Sequence, residues 1–180
     1  GDGLLLLAAV YGEPGVRWYH AYDLESGEEL WRGRGWQRLL GVHQGLVYLL
    51  NQAPPATPPA SEVTEARFSV SVVNAATGVR VEHWQYDFGG AVQEWLPLQS
   101  ARAVLTDDAL FVSNTAGNGA FRFALGGATA PTATYQVPGG GAFRAGPYQG
   151  LLFFEGSGHR LLAAPVSGGS ITEYLFEGTQ

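Results

Sequence analysis

The sequence predicts an all-β protein made of four repeats, each of about four strands. Three observations carry that expectation. Gly (26) and Pro (10) together make a fifth of the 180 residues, and both disfavour helix interiors. Aromatic residues contribute 12% within an apolar fraction of 46%, which is enough for a core and suits pleated, half-buried surfaces. Short apolar runs also recur between Gly-containing turns along the whole chain, as expected of a repeat architecture.

Taken in order, each repeat reads as an apolar strand, a loop, a second strand, a Gly turn and a third strand. The first comprises Leu4–Tyr11, Arg17–Leu24, the turn Glu25–Glu28 and Glu29–Gly33. The second comprises Gly45–Asn51, Arg67–Val73, a turn at Thr77-Gly78 and Val79–Phe88. The third comprises Ala109–Asn114, Ala120–Leu125, the turn Gly126-Gly127 and Thr132–Val137. The fourth comprises Gly150–Glu155, Arg160–Ala164, the turn Ser167–Ser170 and Ile171–Phe176. Arg38–His43, Ala101–Thr106 and Ala142–Pro147 supply one further strand before repeats two, three and four. The alternation or short apolar runs of these segments suit half-buried or buried strands.

A four-stranded unit of about 40–45 residues is the blade of a β-propeller. The chain therefore reads as a single propeller segment with blades at approximately 1–35, 36–90, 91–138 and 139–180. The first blade lacks its inner strand. Rings close when strands from both ends share a blade, and Glu177–Gln180 is too short to supply one. The expectation is part of a larger ring, completed by further blades of the same or another chain. A chain that begins Gly-Asp-Gly and contains no Met is expected to be a processed product or a trimmed piece, any signal peptide having gone.

Composition excludes several functions. The formal charge is −6, and the ten basic residues are all Arg, scattered along an acidic chain. No basic stripe exists to neutralise phosphates, so no nucleic-acid partner is expected. With no Cys, there is no disulfide, thiolate metal site or Cys nucleophile. The longest apolar run, Leu4–Tyr11, is too short to span a bilayer as a helix.

The segment Ala21-Tyr22-Asp23-Leu24-Glu25-Ser26-Gly27-Glu28-Glu29-Leu30-Trp31 fits the pattern Ala-x-Asp-x-x-Ser/Thr-Gly-x-x-x-Trp without a gap. This resembles the pyrroloquinoline-quinone-type propeller repeat, found in quinoprotein dehydrogenases and in non-enzymatic scaffold propellers. Asn74-Ala75-Ala76-Thr77-Gly78 keeps the turn, with Glu82 where Trp is expected and Trp84 two residues later. Repeat three keeps glycines at Gly126-Gly127, and repeat four keeps Ala163 and Gly169. The resemblance implies that Trp31 docks between adjacent blades, with Trp84 in a similar wedge. The repeat-motif residues are thus Ala21, Asp23, Gly27, Trp31, Gly78, Trp84, Gly127 and Gly169, all structural in role. Asp and Ser side chains bond nearby backbone groups in such turns, and Gly supplies positive φ.

Residue chemistry points away from catalysis. His20, His43, His83 and His159 are scattered, none two or four residues from another. Asp107-Asp108 lacks the rest of a calcium loop and reads as a polar turn. Ser157, in Gly156-Ser157-Gly158-His159, lies in a hairpin that turn chemistry explains, and there is no Gly-x-Ser-x-Gly elbow. Gly139-Gly140-Gly141 precedes no helix and so forms no phosphate loop. Cofactor-binding relatives implied by the resemblance coordinate Ca²⁺ and stack the quinone on a Trp, many beside a disulfide. None of those residues can be assigned here, so no cofactor, metal or catalytic residue is expected.

Two departures from repeat regularity point to binding. Gln52–Ser61 is Pro-rich, with Pro54, Pro55, Pro58 and Pro59, and expands the middle hairpin of blade two. Such a segment favours polyproline II and does not join a ladder easily. The connection Gly89–Gln99, holding Glu94, Trp95 and Leu96, expands the link to blade three. Loops between second and third strands and links between blades emerge on one propeller face, so both insertions are expected side by side. Trp95 and Leu96 would anchor a partner inside a rim of Glu62, Glu65 and Glu94. The reading is a non-enzymatic propeller scaffold that binds another protein. The resemblance, which extends to outer-membrane assembly lipoprotein propellers, places it in the periplasm, at the cell surface or outside the cell. Alternatives are a fragment of a quinone-dependent dehydrogenase-like propeller and a purely structural subunit of a large assembly.

Overall fold

The structure, a computed structural model, describes residues 3–10, 16–35, 37–51, 67–87, 103–113, 119–127, 130–137, 141–156, 158 and 160–174. Fifteen strands and no helix occur among the described residues. The first sheet has three strands: β1 (Leu4–Val10), β2 (Arg17–Asp23) and β3 (Glu29–Gly35), in that order. The second has four: β4 (Gln37–His43), β5 (Leu46–Asn51), β6 (Arg67–Asn74) and β7 (Arg80–Asp87). A third set is β8 (Ala103–Leu105), β9 (Ala109–Ser113), β10 (Gly119–Ala124) and β11 (Ala133–Gln136). The last is β12 (Gly141–Tyr148), β13 (Leu151–Gly156), β14 (Arg160–Pro165) and β15 (Thr172–Tyr174). Within every set, successive strands are antiparallel neighbours. One parallel pairing, Gly119 with Ala142, joins the last two sets into an eight-stranded sheet.

This is the all-β arrangement expected, with three strands in the first set among the described residues. The chain divides into two compact units, Gly1–Leu98 and Gln99–Gln180, each holding two sets of strands. In the first unit, Tyr19 of β2 packs with Val47, Leu49 and Val73 of the second sheet and with Ala75 in the turn after β6, flanked by Leu4, Leu6, Trp31 and Leu39. In the second, Phe111, Ala120 and Tyr135 pack with Phe143, Leu152 and Phe154. Adjacent residues are buried along β5 (Val47–Leu50), β6 (Val70–Val73) and all of β9. Those strands are covered on both faces, which suits the continuous apolar runs of β5 and β9; β6 instead alternates Ser with Val, and Ser71 is buried with Val70, Val72 and Val73.

Candidate functional site

The turns after β2 and β6 are built alike. Asp23 Oδ1 accepts from the Glu25 and Ser26 N–H groups at 3.0 and 2.8 Å, and from Ser26 Oγ at 3.0 Å. Asn74 Oδ1 accepts from the Ala76 and Thr77 N–H groups at 3.0 Å each, and from Thr77 Oγ1 at 3.2 Å. Gly27 N–H then donates to Asp23 O, and Gly78 N–H to Asn74 O, both at 2.9 Å. The bonds from Ser26 hold the Asp23 carboxyl below its ordinary pKa. Asn74 provides the same acceptor without a charge.

At the start of each turn, a backbone N–H reaches back to the residue before the neighbouring strand. Leu24 donates to Gly3 O, Ala75 to Gly45 O, Leu125 to Asp108 O and Val166 to Gly150 O. These four bonds align the repeats. Gly169 then falls at the place of Gly27 and Gly78, while Gly127 falls one residue earlier, at the place of Ser26. In the same frame Glu82 is opposite Val72 as Trp31 is opposite Ala21, and Ala21 is wholly buried.

The half-buried Trp31 links the first sheet to the second. Its Nε1–H donates to Ala75 O at 2.7 Å, and its ring lies over Gly78, where a Cβ would approach Cγ to 2.7 Å. At the other end of the joint, Tyr19 OH and Arg17 Nη1 both donate to Gln37 O, and burial raises the Tyr19 pKa. In the second unit, Tyr135 OH donates to Val166 O, the counterpart of Ala75 O, and burial raises its pKa too. The sequence assigned Tyr135 no role. It carries no motif, and a bond to a main-chain carbonyl leaves no mark on the partner's side chain. Trp84 is buried, meets Tyr48 edge-on at 6.0 Å between ring centroids, and donates to Glu82 Oε2 at 3.2 Å.

Glu94, Trp95, Leu96, Pro54, Pro55, Pro58 and Pro59 lie outside the described residues, as do Glu62, Glu65, Ser157 and His159. Their attachment points are described. Asn51 pairs with Ser69, and Arg67 with Asp87. The ends of β5 and β7 and the start of β6 therefore stand at one end of the second sheet, where residues 52–66 and the connection from 88 onwards are rooted. The corresponding hairpin segments elsewhere are only 11–16, 114–118 and 157–159.

The outer face of the first sheet is a second feature. Trp18, His20 and Tyr22 alternate along β2 opposite to Tyr19 and Ala21, with Trp18–His20 and His20–Tyr22 stacked at 6.4 and 6.2 Å. Arg34 lies 5.5 Å over the Trp18 ring, and His20 Nδ1 is 2.9 Å from Glu29 Oε2. The bond from His20, with the Arg32 charge nearby, lowers the Glu29 pKa. Asp108 belongs to a turn. Its pKa is lowered by the Thr106 hydroxyl bond (2.9 Å) and by Arg122, whose Nη2 is 2.7 Å away. Among the described residues, no three His, Asp or Glu side chains converge as a metal site, and no helix is long and apolar enough to cross a membrane.

One three-stranded set, three four-stranded sets, and aromatic bonds from one set to the next set's turn are, among the described residues, the elements of a β-propeller-type fold. Among solved structures, the chain is similar to BamB from Moraxella catarrhalis, with a TM-score of 0.54 at 12% sequence identity. That match covers 96% of this chain and 49% of the other, so the chain spans about half the length of that relative. At this identity the likeness concerns the fold alone. No family model matches the chain, and no curated protein does.

Proposed function

We infer that this chain is a non-enzymatic propeller scaffold that binds another protein through the two insertions of its second sheet. One observation carries the reading: residues 52–66 and the connection from 88 are rooted at the same sheet end, at Asn51, Arg67 and Asp87. Function is commonly grafted onto a rigid scaffold by loop growth of this kind. Trp95 and Leu96 supply an apolar anchor, and Pro54, Pro55, Pro58 and Pro59 limit the entropy lost on docking. Glu62, Glu65 and Glu94 favour a basic or neutral partner over an anionic one. The fold likeness to BamB and the quinone-type turn of Ala21–Trp31 support a place in the bacterial cell envelope or the extracellular space.

The test is cross-linking of the intact assembly with wild type, Trp95→Ala and a deletion of residues 53–60. The expected result is partner cross-links at residues 52–66 and 88–100 in wild type, reduced at least about tenfold by either change. Cross-links that survive both variants unchanged would remove the loops from the binding site.

A further inference from the structure

The two units close their joints differently at the end where β2 and β10 begin. Counting back from the aligning bonds of Leu24 and Leu125, Trp18 stands where Gly119 stands. The pairs Leu39–Leu49 and Phe143–Phe154 likewise put Arg38 at the place of Ala142. In the second unit the backbones meet there, Gly119 pairing with Ala142 on a glycine at φ +141°. That conformation suits glycine and not a residue with a Cβ, so Trp18 does not reproduce the junction. Among the described residues, the first and second sheets accordingly share no strand pairing.

Side chains span the interval instead. Arg17 and Tyr19, which flank Trp18, both donate to the main-chain oxygen of Gln37, the residue before Arg38, with 2.9 Å from Arg17 Nη1. Arg38 is half-buried at the start of β4, and burial together with the Arg17 charge lowers its pKa. Two guanidinium groups of like sign thus act on each other in a wedge between the sheets. The corresponding residues of the second unit, Asn118 and Ala142, carry no charge.

We propose that Arg17 and Arg38 form a carboxylate-binding site in the wedge between the first two sheets, and that it takes a carboxylate of a partner polypeptide. A guanidinium presents five N–H donors in a planar fork, and can serve a main-chain oxygen and a carboxylate together. One planar carboxylate matches such a fork, while the chain's charge of −6 disfavours a dianion. The carboxylate is assigned to a polypeptide because Gln37 pairs with Asn51, where the first insertion is rooted; in that respect the proposal rests on the reading above. A single carboxylate on an otherwise uncharged chain stays within the charge preference of the insertions.

The experiment uses the whole 180-residue chain with isotope-labelled arginine, and reads the guanidinium Nε–H resonances by NMR. Acetate should shift those of Arg17 and Arg38 along one saturation curve, and chloride at the same ionic strength should not. Arg144 and Arg160, each already on a carboxylate, should not move. The peptide acetyl-Gly-Gly-Leu with a free C-terminus should bind at least about tenfold more tightly than acetate, and its C-terminal amide should not bind. Arg38→Lys keeps the charge and loses the fork, so affinity should fall about tenfold at an unchanged melting temperature.

Absence of a saturable acetate shift at Arg17 and Arg38, an equal response to chloride, or tighter binding of inorganic phosphate would overturn the site. Acetate binding without a gain from the peptide acid would overturn the assignment to a polypeptide. Deletion of residues 53–60 should leave acetate binding unchanged, so the wedge and the insertions can fail separately.

Discussion

The two units solve the same joining problem with different side chains. In the first, the Trp31 indole reaches Ala75 O; in the second, the Tyr135 phenol reaches Val166 O. The acceptors are equivalent, each on the residue whose N–H closes the neighbouring strand, to Gly45 O or Gly150 O. The donors are not. Trp31 is opposite Ala21 in its ladder, while Tyr135 is opposite Ala120, two places farther from the turn. What the joint requires is a bond for a carbonyl that has left the ladder, and an aromatic ring with a polar tip can supply it from either register. A repeat can therefore lose its Trp and keep its interface.

Trp31→Ala should have the largest effect on this comparison, because it removes both the indole bond and the ring over Gly78. We expect a loss of about 2–4 kcal/mol, read as a lower midpoint in thermal or denaturant unfolding. A midpoint unchanged within error would mean that the first joint does not contribute to stability.

The two matching turns come next. Gly27 (φ +73°) and Gly78 (φ +69°) share a left-handed backbone, but only a Cβ at 78 would strike the Trp31 ring. Gly27→Ala should cost about 1–2 kcal/mol for the backbone conformation alone. Gly78→Ala should cost about 1 kcal/mol or more beyond that, from steric overpacking. The excess should vanish in a Trp31→Ala background, and a double-mutant cycle would show whether ring contact is the cause.

Tyr135→Phe keeps the ring and removes only the bond to Val166 O, so it should cost about 1 kcal/mol. Trp31→Phe should cost at least as much if the joints are equivalent. The smallest effect concerns acid. Because the folded state lowers the Asp23 pKa, its contribution is complete above the unfolded value of about 4. It is lost as pH falls through the depressed folded value. Asp23→Asn makes the first turn like the second, and should flatten the acid limb of the stability profile while leaving neutral stability nearly unchanged.

Much of this fold was legible because two local signals coincide: apolar runs that mark strands, and Asx–Ser/Thr–Gly turns that mark their ends. The Asp23 and Asn74 turns announce themselves, since side chain and glycine must both be present. Gly127 was harder to place, because a pair of glycines does not say which one takes which turn position. The Tyr135 joint was invisible, and so was the Trp18–His20–Tyr22 stack, whose alternation with Tyr19 and Ala21 could have suggested it. Of the candidate site, the sequence could identify insertions and count prolines. That their roots share one sheet end depends on register, which strand pairing across Asn51, Ser69, Arg67 and Asp87 sets.

The junction at Gly119 has a consequence for heredity. Here β10 meets β11 at Gln136 and β12 at Ala142, on a backbone with φ +141°. A Cβ at this position would lie 1.7 Å from Tyr135 O, a main-chain atom with no rotamer to escape into. Every amino-acid replacement one base away from a glycine codon introduces a Cβ. Only synonymous changes at this codon are therefore neutral, and descendants that keep the three-strand junction should keep glycine at 119 even where every turn motif has faded.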